Sequence, residues 1–123
     1  MGIGSALKRA FTKPYATVHP TGVEALLGRS AIVIDVRESS EWRAGRAPKA
    51  RHIPLDQLAV RMGEIPRGRP VITVCRSGMR SARAAGLLVQ QGHEVFNLAG
   101  GMRAWARAGL PVTANGGRAG QIV

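Results

Sequence analysis

What the 123-residue chain is short of narrows the field first. It has one cysteine, Cys75, so no disulfide can close within the chain and a disulfide-stapled scaffold is excluded. A lone cysteine is either inert core or a reactive thiol, and its neighbours decide between the two. Aromatic residues make up only 4% of the chain and are not interleaved with the basic ones, which argues against a base-stacking surface for nucleic acid. Acidic residues are scarce, 7 against 18 basic, for a net charge of +11. The arginines are scattered from Arg9 to Arg118 without forming a block, so the excess reads as a solvated basic surface and no nucleic-acid partner is expected. No apolar run is long enough for a transmembrane helix. The opening MGIGSALKRAFTK lacks the apolar centre of a secretory signal, and Ala6 stands where a myristoylation signal needs Ser or Thr. A cytoplasmic location is expected. His19, His52 and His93 lack metal-ligand spacing, so neither a metal nor a cofactor is anticipated.

What is present is an ordinary globular composition, 45% hydrophobic and 20% charged, in a chain suited to one domain. Residues 1–13 read as a mobile basic tail, with Ile3, Leu7 and Phe11 at helical spacing, and the Gly-rich 114–123 as a flexible C-terminal tail. Between them, over 14–113, strand-like and helix-like segments alternate. Ala31–Val36 is a near-continuous apolar run rich in β-branched residues, as a strand covered on both faces requires, Val71–Val74 reads as a second buried strand and Glu94–Leu98 as a third core strand. Ala16–Val18 and Ala50–Pro54 read as shorter extended pieces. Helices are expected over Thr21–Leu27, from Ser39, over Leu55–Ile65, over Ser81–Gln91 and over Met102–Ala108. This alternation predicts an α/β domain: a mainly parallel central sheet with helices on both faces.

One segment carries chemistry. The strand Val71–Val74 runs directly into Cys75-Arg76-Ser77-Gly78-Met79-Arg80-Ser81, and a helix follows. The carboxyl end of a strand is where open α/β sheets place their ligand sites. A short loop entering a helix N-terminus turns several backbone N–H groups inward as an anion cup, with Gly78 allowing the tight turn. A cysteine in such a cup is expected to ionise readily, because amide dipoles and the flanking Arg76 and Arg80 favour thiolate over thiol. The reading is a nucleophile without a histidine base, activated by its loop. Ser77 and Ser81 could donate to a bound anion, or Ser81 could cap its helix.

These residues resemble the rhodanese (thiosulfate sulfurtransferase) family in its single-domain form. Cys75–Arg80 is similar to the family's six-residue loop Cys-Arg-x-Gly-x-Arg. Asp35-Val36-Arg37 with Glu41-Trp42 resembles its Asp-x-Arg-x-x-x-Glu-aromatic motif. His52-Ile53-Pro54 lies where the family has Asn-Ile-Pro, and Leu98-Ala99-Gly100-Gly101 through Trp105 resembles its Leu-x-Gly-Gly-x-x-x-Trp ending. The resemblance implies a rhodanese-like three-layer domain. It also implies that Cys75 takes a sulfane sulfur from a small anionic donor such as thiosulfate, becomes a persulfide, and passes the sulfur to cyanide or a thiol. Arg76, Ser77, Gly78, Met79, Arg80 and Ser81 would bind the donor and the persulfide, with Asp35 and Arg37 in support. The sequence departs from the pattern at Gly45-Arg46-Ala47-Pro48-Lys49-Ala50, where the family has Gly-His-Ile-Pro-Gly-Ala: basic residues replace the histidine and the turn glycine.

The remaining residues read as support. Asp35 is expected to pair with Arg37 or another arginine, Glu41 to serve as a helix-end partner for an arginine, and Trp42 and Trp105 to pack in the core or at its rim. Two other functions use the same features. A cysteine phosphatase or arsenate reductase also sets a thiolate in an amide cup, but carries five residues between Cys and Arg where Cys75 and Arg80 enclose four. A non-catalytic binding module would keep the fold without the chemistry. The net charge would suit an acidic protein partner acting as sulfur acceptor.

Overall fold

The two most apolar runs of the sequence become the middle of the sheet. In the computed structural model, which describes residues 14–123, Ile32–Asp35 (β2) and Val71–Val74 (β4) are buried at every position. They pair in parallel, Ile32 opposite Val71 and Asp35 opposite Val74. Ala16–Val18 (β1), Arg51–His52 (β3) and Val95–Leu98 (β5) complete a five-stranded parallel sheet in the order β1-β5-β4-β2-β3. Because every strand points the same way, the segments after β2, β3, β4 and β5 collect along one edge.

Side chains alternate across a strand, and the two faces feed two cores. Ile32, Ile34 and Val71 pack with Leu58, Ala84, Ala85 and Leu88, whereas Val33, Ile72 and Val74 pack with Val23, Leu26, Met102 and Trp105. Val23–Gly28 (α1) and Gly101–Arg107 (α5) therefore cover one face. Leu58–Arg61 (α3) and Met79–Gln90 (α4) cover the other, and Ser39–Ala44 (α2) sits beyond the end of β2. This is the expected three-layer α/β arrangement. In α4 the buried residues Ser81, Ala84, Ala85 and Leu88 fall at the i, i+3, i+4, i+7 spacing of one helix face.

Two segments differ from the reading of the sequence. Leu55–Ile65 is not one helix but a 3₁₀ turn over Leu55–Gln57, the single turn α3, and a second 3₁₀ turn over Met62–Glu64. Ile65 is extended, at φ −86° and ψ 119°. Gly63 favours the helix weakly, and Pro66 forces the residue before it out of the α region. The segment 114–123, which reads as a loose end, is bonded to the domain. The Gly120 amide donates to the Val112 carbonyl at 3.1 Å, and the Gln121 amide donates to the Ala44 carbonyl at 2.8 Å. Glycine here serves close approach, since a Cβ on Gly45 would stand 2.5 Å from the Gln121 carbonyl oxygen. Ile122 packs against the Trp105 side of the core. The basic tail expected over 1–13 lies outside the described residues. Among the described residues no helix is long and apolar enough to cross a membrane.

Candidate functional site

Cys75 follows β4 at the collecting edge of the sheet, and its loop is built from three sides. Gly78, the N-cap of α4, takes φ +111°, which a residue with a Cβ rarely adopts. The turn at Gly78 brings its own amide onto the Cys75 Sγ, donating at 3.0 Å. From behind, α5 holds the loop's carbonyls away from the sulfur: the Met102 amide donates to the Cys75 carbonyl at 2.7 Å and the Arg103 amide to the Arg76 carbonyl at 3.1 Å. This contact requires Gly101, where a Cβ would stand 2.5 Å from both carbonyl oxygens. From β5, the Asn97 side-chain amide donates to the Gly78 carbonyl at 3.1 Å, and the Thr73 hydroxyl donates to the Asn97 side-chain oxygen at 3.2 Å. With their carbonyls tied to the scaffold, the loop peptides present N–H groups to the sulfur.

Cys75 is 1% exposed and packs with the α3–α4 core. Burial pushes its thiol up, but the Ser81 hydroxyl and the amides of Ser81, Gly78 and Ser77 outweigh burial, and the net shift is downward. Hydrogen-bond donors, among them the loop amides the sequence points to, are the main stabilisers of the thiolate. The Ser81 hydroxyl lies 3.3 Å from Sγ and 3.2 Å from the Gly78 carbonyl. It has one proton, so it can donate to the thiolate or to the carbonyl but not to both at once. The hydroxyl of Ser81 stands inside the first turn of α4 rather than at its cap.

The two loop arginines have different surroundings. Arg76 is exposed, as is Ser77. Arg80 is clamped by Glu41 of α2: its Nη1 and Nη2 donate to the two carboxylate oxygens at 2.7 and 2.9 Å. The guanidinium beside it, outweighing partial burial, holds the Glu41 carboxyl down from 4.5 to about 2. Glu41 is positioned in turn by the Glu38 amide, which donates to it at 2.9 Å. Met79, between the arginines, is 80% exposed.

Asp35 and Arg37 are both 0% exposed, and among the described residues their side chains make no hydrogen bond to the Cys75–Ser81 loop. Arg37 donates through Nε and Nη2 to the Asp35 carboxylate at 2.9 and 2.7 Å, and spends its other donors on the carbonyls of Gly45 and Glu41. This fully satisfied buried pair ties α2 to the end of β2, and so places Glu41 opposite Arg80. His52 stacks on Trp42 with ring centres 4.8 Å apart, and its Nε2 lies 2.7 Å from the Arg37 carbonyl. Trp105 is buried in the core. Among the described residues, no group of three His, Cys, Asp or Glu could hold a metal ion.

The structure thus gathers Cys75, Ser77, Gly78 and Ser81 around the sulfur, sets Arg80 against Glu41, and leaves Arg76 and Met79 facing outward. Asn97 and Gly101 escaped the reading of the sequence as parts of the site. Asn97 could have been found as a polar residue inside an apolar strand.

Comparison with known proteins agrees with this fold. The family model described as a rhodanese-like domain matches residues 19–108. A sulfurtransferase of Allochromatium vinosum is 45% identical over 84 residues, covering 68% of this chain and 78% of that one. Thiosulfate sulfurtransferase GlpE of Vibrio cholerae is 33% identical over 88 residues, covering 71% and 83%. The crystal structure of a rhodanese-related protein from Thermoplasma volcanium superposes with a TM-score of 0.76 at 27% identity, covering 80% of this chain and 98% of that one. The same fold also recurs within longer chains, one of which this chain spans by only 17%.

Proposed function

The chain belongs to the rhodanese-like family, and from that premise we propose that it is a sulfurtransferase whose carrier atom is the Cys75 sulfur. The observation that carries the reading is the convergence of the Gly78 amide and the Ser81 hydroxyl on the Cys75 sulfur, at 3.0 and 3.3 Å, where they favour its ionised form. Matched relatives named as sulfurtransferases support the same class.

With thiosulfate as donor, the Cys75 thiolate attacks the outer, sulfane sulfur. A bond forms between Sγ and that sulfur while the sulfur–sulfur bond of thiosulfate breaks, and sulfite leaves with its electron pair. The product is a Cys75 persulfide whose terminal sulfur carries the negative charge. The cup amides that held the thiolate are placed to hold this anion as well, so the charge stays solvated by fixed dipoles throughout. Cyanide or a thiolate then attacks the terminal sulfur, giving thiocyanate or a new persulfide and returning the Cys75 thiolate. No oxidant or reductant is consumed.

Arg76 supplies the free charge that attracts the anionic donor. Arg80, already paired with Glu41, shapes the rim of the cup and contributes a weaker field than its charge suggests. A thiol acceptor requires a reducing setting, which fits a chain with one unpaired cysteine and a cytoplasmic site of action. An acidic protein would suit the basic surface as a natural acceptor. The test is thiocyanate formation from thiosulfate and cyanide. Native protein turns over, whereas Cys75→Ser, with an unchanged circular dichroism spectrum, does not. Equal rates in the two proteins would overturn the assignment.

A further inference from the structure

The departure of residues 45–50 from the family pattern has no part in the sulfur site, and it leads to a second cavity. Among the described residues only Ser30 and Lys49 combine a side chain with left-handed backbone, at φ +65° and +62°, and both line this cavity. Its volume is about 630 Å³. That lies within the range of pockets that accept small organic ligands. It sits over the sheet face of Val33 and Trp105, whereas Cys75 belongs to the core on the opposite face. It also lies near the start of β2 and the residues before β4, while Cys75 follows the far end of β4. The two sites are separate.

The lining has two chemistries. Ala31, Val33, Trp105 and Leu110 give an apolar wall, and Leu27 of α1 beside them is left 43% exposed. Lys49, Arg51 and Arg69 give three positive charges against one carboxylate, Glu24. None of the three cations forms an ion pair among the described residues. Arg51 and Arg69 donate only to the neutral carbonyls of Glu64 at 3.4 Å and Ser30 at 2.7 Å. The second of these contacts ties the left-handed turn at Ser30 to the placement of Arg69. Lys49 takes left-handed backbone where the family pattern has a glycine, a conformation that costs a residue with a Cβ more than it costs glycine. Backbone strain of this kind collects at ligand clamps.

We propose that this cavity binds an organic anion with an apolar body, of the class of aryl sulfonates and medium-chain carboxylates. Lys49, Arg51 and Arg69 take the head group, and Trp105 and Leu110 pack against the body. The proposal does not depend on the sulfur chemistry.

Fluorescence titration of the full chain with anilinonaphthalene sulfonate tests it. The native protein binds one dye molecule saturably, and decanoate displaces it where inorganic phosphate at the same concentration does not. Lys49→Gly removes the charge and relieves the backbone, so the melting temperature holds or rises while affinity falls about tenfold. Arg69→Ala weakens binding similarly, whereas Arg107→Ala on the exposed side of α5 leaves it unchanged. Three results would each overturn the proposal: no saturable binding, equal displacement by phosphate, or an affinity that Lys49→Gly and Arg69→Ala leave intact or that Arg107→Ala lowers as much.

Discussion

Replacing Ser81 with alanine isolates the contact that does most to hold the Cys75 thiolate against burial. The hydroxyl, 3.3 Å from Sγ, is the largest of the stabilising influences on the sulfur, and the substitution leaves the backbone of α4 in place because alanine is the strongest helix former. A hydrogen bond to a charged group contributes about 1.5–3 kcal/mol. Ser81 divides its proton between Sγ and the Gly78 carbonyl, so the lower end of that range applies, about 1.5 kcal/mol. Each 1.4 kcal/mol changes an ionisation equilibrium about tenfold. The sign is fixed by which form is stabilised: losing a donor to the anion moves the Cys75 titration to higher pH. At a pH below both midpoints the thiolate fraction of Ser81→Ala falls roughly tenfold, and well above both it is unchanged. The rate of alkylation by iodoacetamide as a function of pH reads this directly, since the chain has no other cysteine to interfere. The two curves converge at high pH and separate at low pH. Superimposable curves would refute the idea that the hydroxyl activates the sulfur.

Three further outcomes follow from the same geometry. Gly101→Ala forces a Cβ to 2.5 Å from the Cys75 and Arg76 carbonyls, so it should lower stability by about 2 kcal/mol or more and reduce transfer activity, read by urea unfolding and by thiocyanate formation. Arg80→Ala leaves Glu41 unpaired and negative at the rim and raises the KM for thiosulfate, whereas Glu41→Gln frees the Arg80 charge and lowers it; steady-state kinetics at low salt should show shifts of opposite sign. Because the Glu41 carboxyl is held down from 4.5 to about 2, the stability it lends is complete above the ordinary carboxylate range and is lost as pH falls through about 2. Glu41→Gln should therefore lower the melting temperature near neutral pH and flatten the acid side of its profile, the two curves converging as pH falls through about 2, and a mutant whose curve runs parallel to the native one through that range would contradict the pair's role.

The elements that can be read from one-dimensional pattern are those whose burial is uniform or periodic. The apolar runs at Ile32–Asp35 and Val71–Val74 announce central strands because both their faces are covered, and the alanine-rich stretch of α4 carries its buried face at helical spacing. Cys75 and its loop are equally plain, since glycine and two arginines crowd the positions after a core strand. What does not show is anything that depends on a partner distant in sequence. The bond between Arg80 and Glu41 spans 39 positions, and Asn97 reaches Gly78 across 19, so residue type hints at a need without naming who meets it. The glycines of the C-terminal segment mislead for a related reason. Glycine marks both loose chain and close backbone contact: a Cβ on Gly116 or Gly117 would meet open space, whereas one on Gly120 would stand 2.7 Å from the Thr113 carbonyl oxygen and 2.8 Å from the Gly45 Cα. The Leu55–Ile65 helix fails locally, at Gly63 and Pro66, where the apolar spacing outvoted a breaker that was in plain view.

The central claim is that one sulfur atom carries the cargo. Intact mass spectrometry of the protein after exposure to thiosulfate tests it most directly. The native chain should gain the mass of a single sulfur atom, lose it again on addition of cyanide with thiocyanate released in equal amount, and gain nothing when Cys75 is replaced by serine. A native protein that stays at its starting mass, or a Cys75→Ser protein that gains the same increment, would contradict the account.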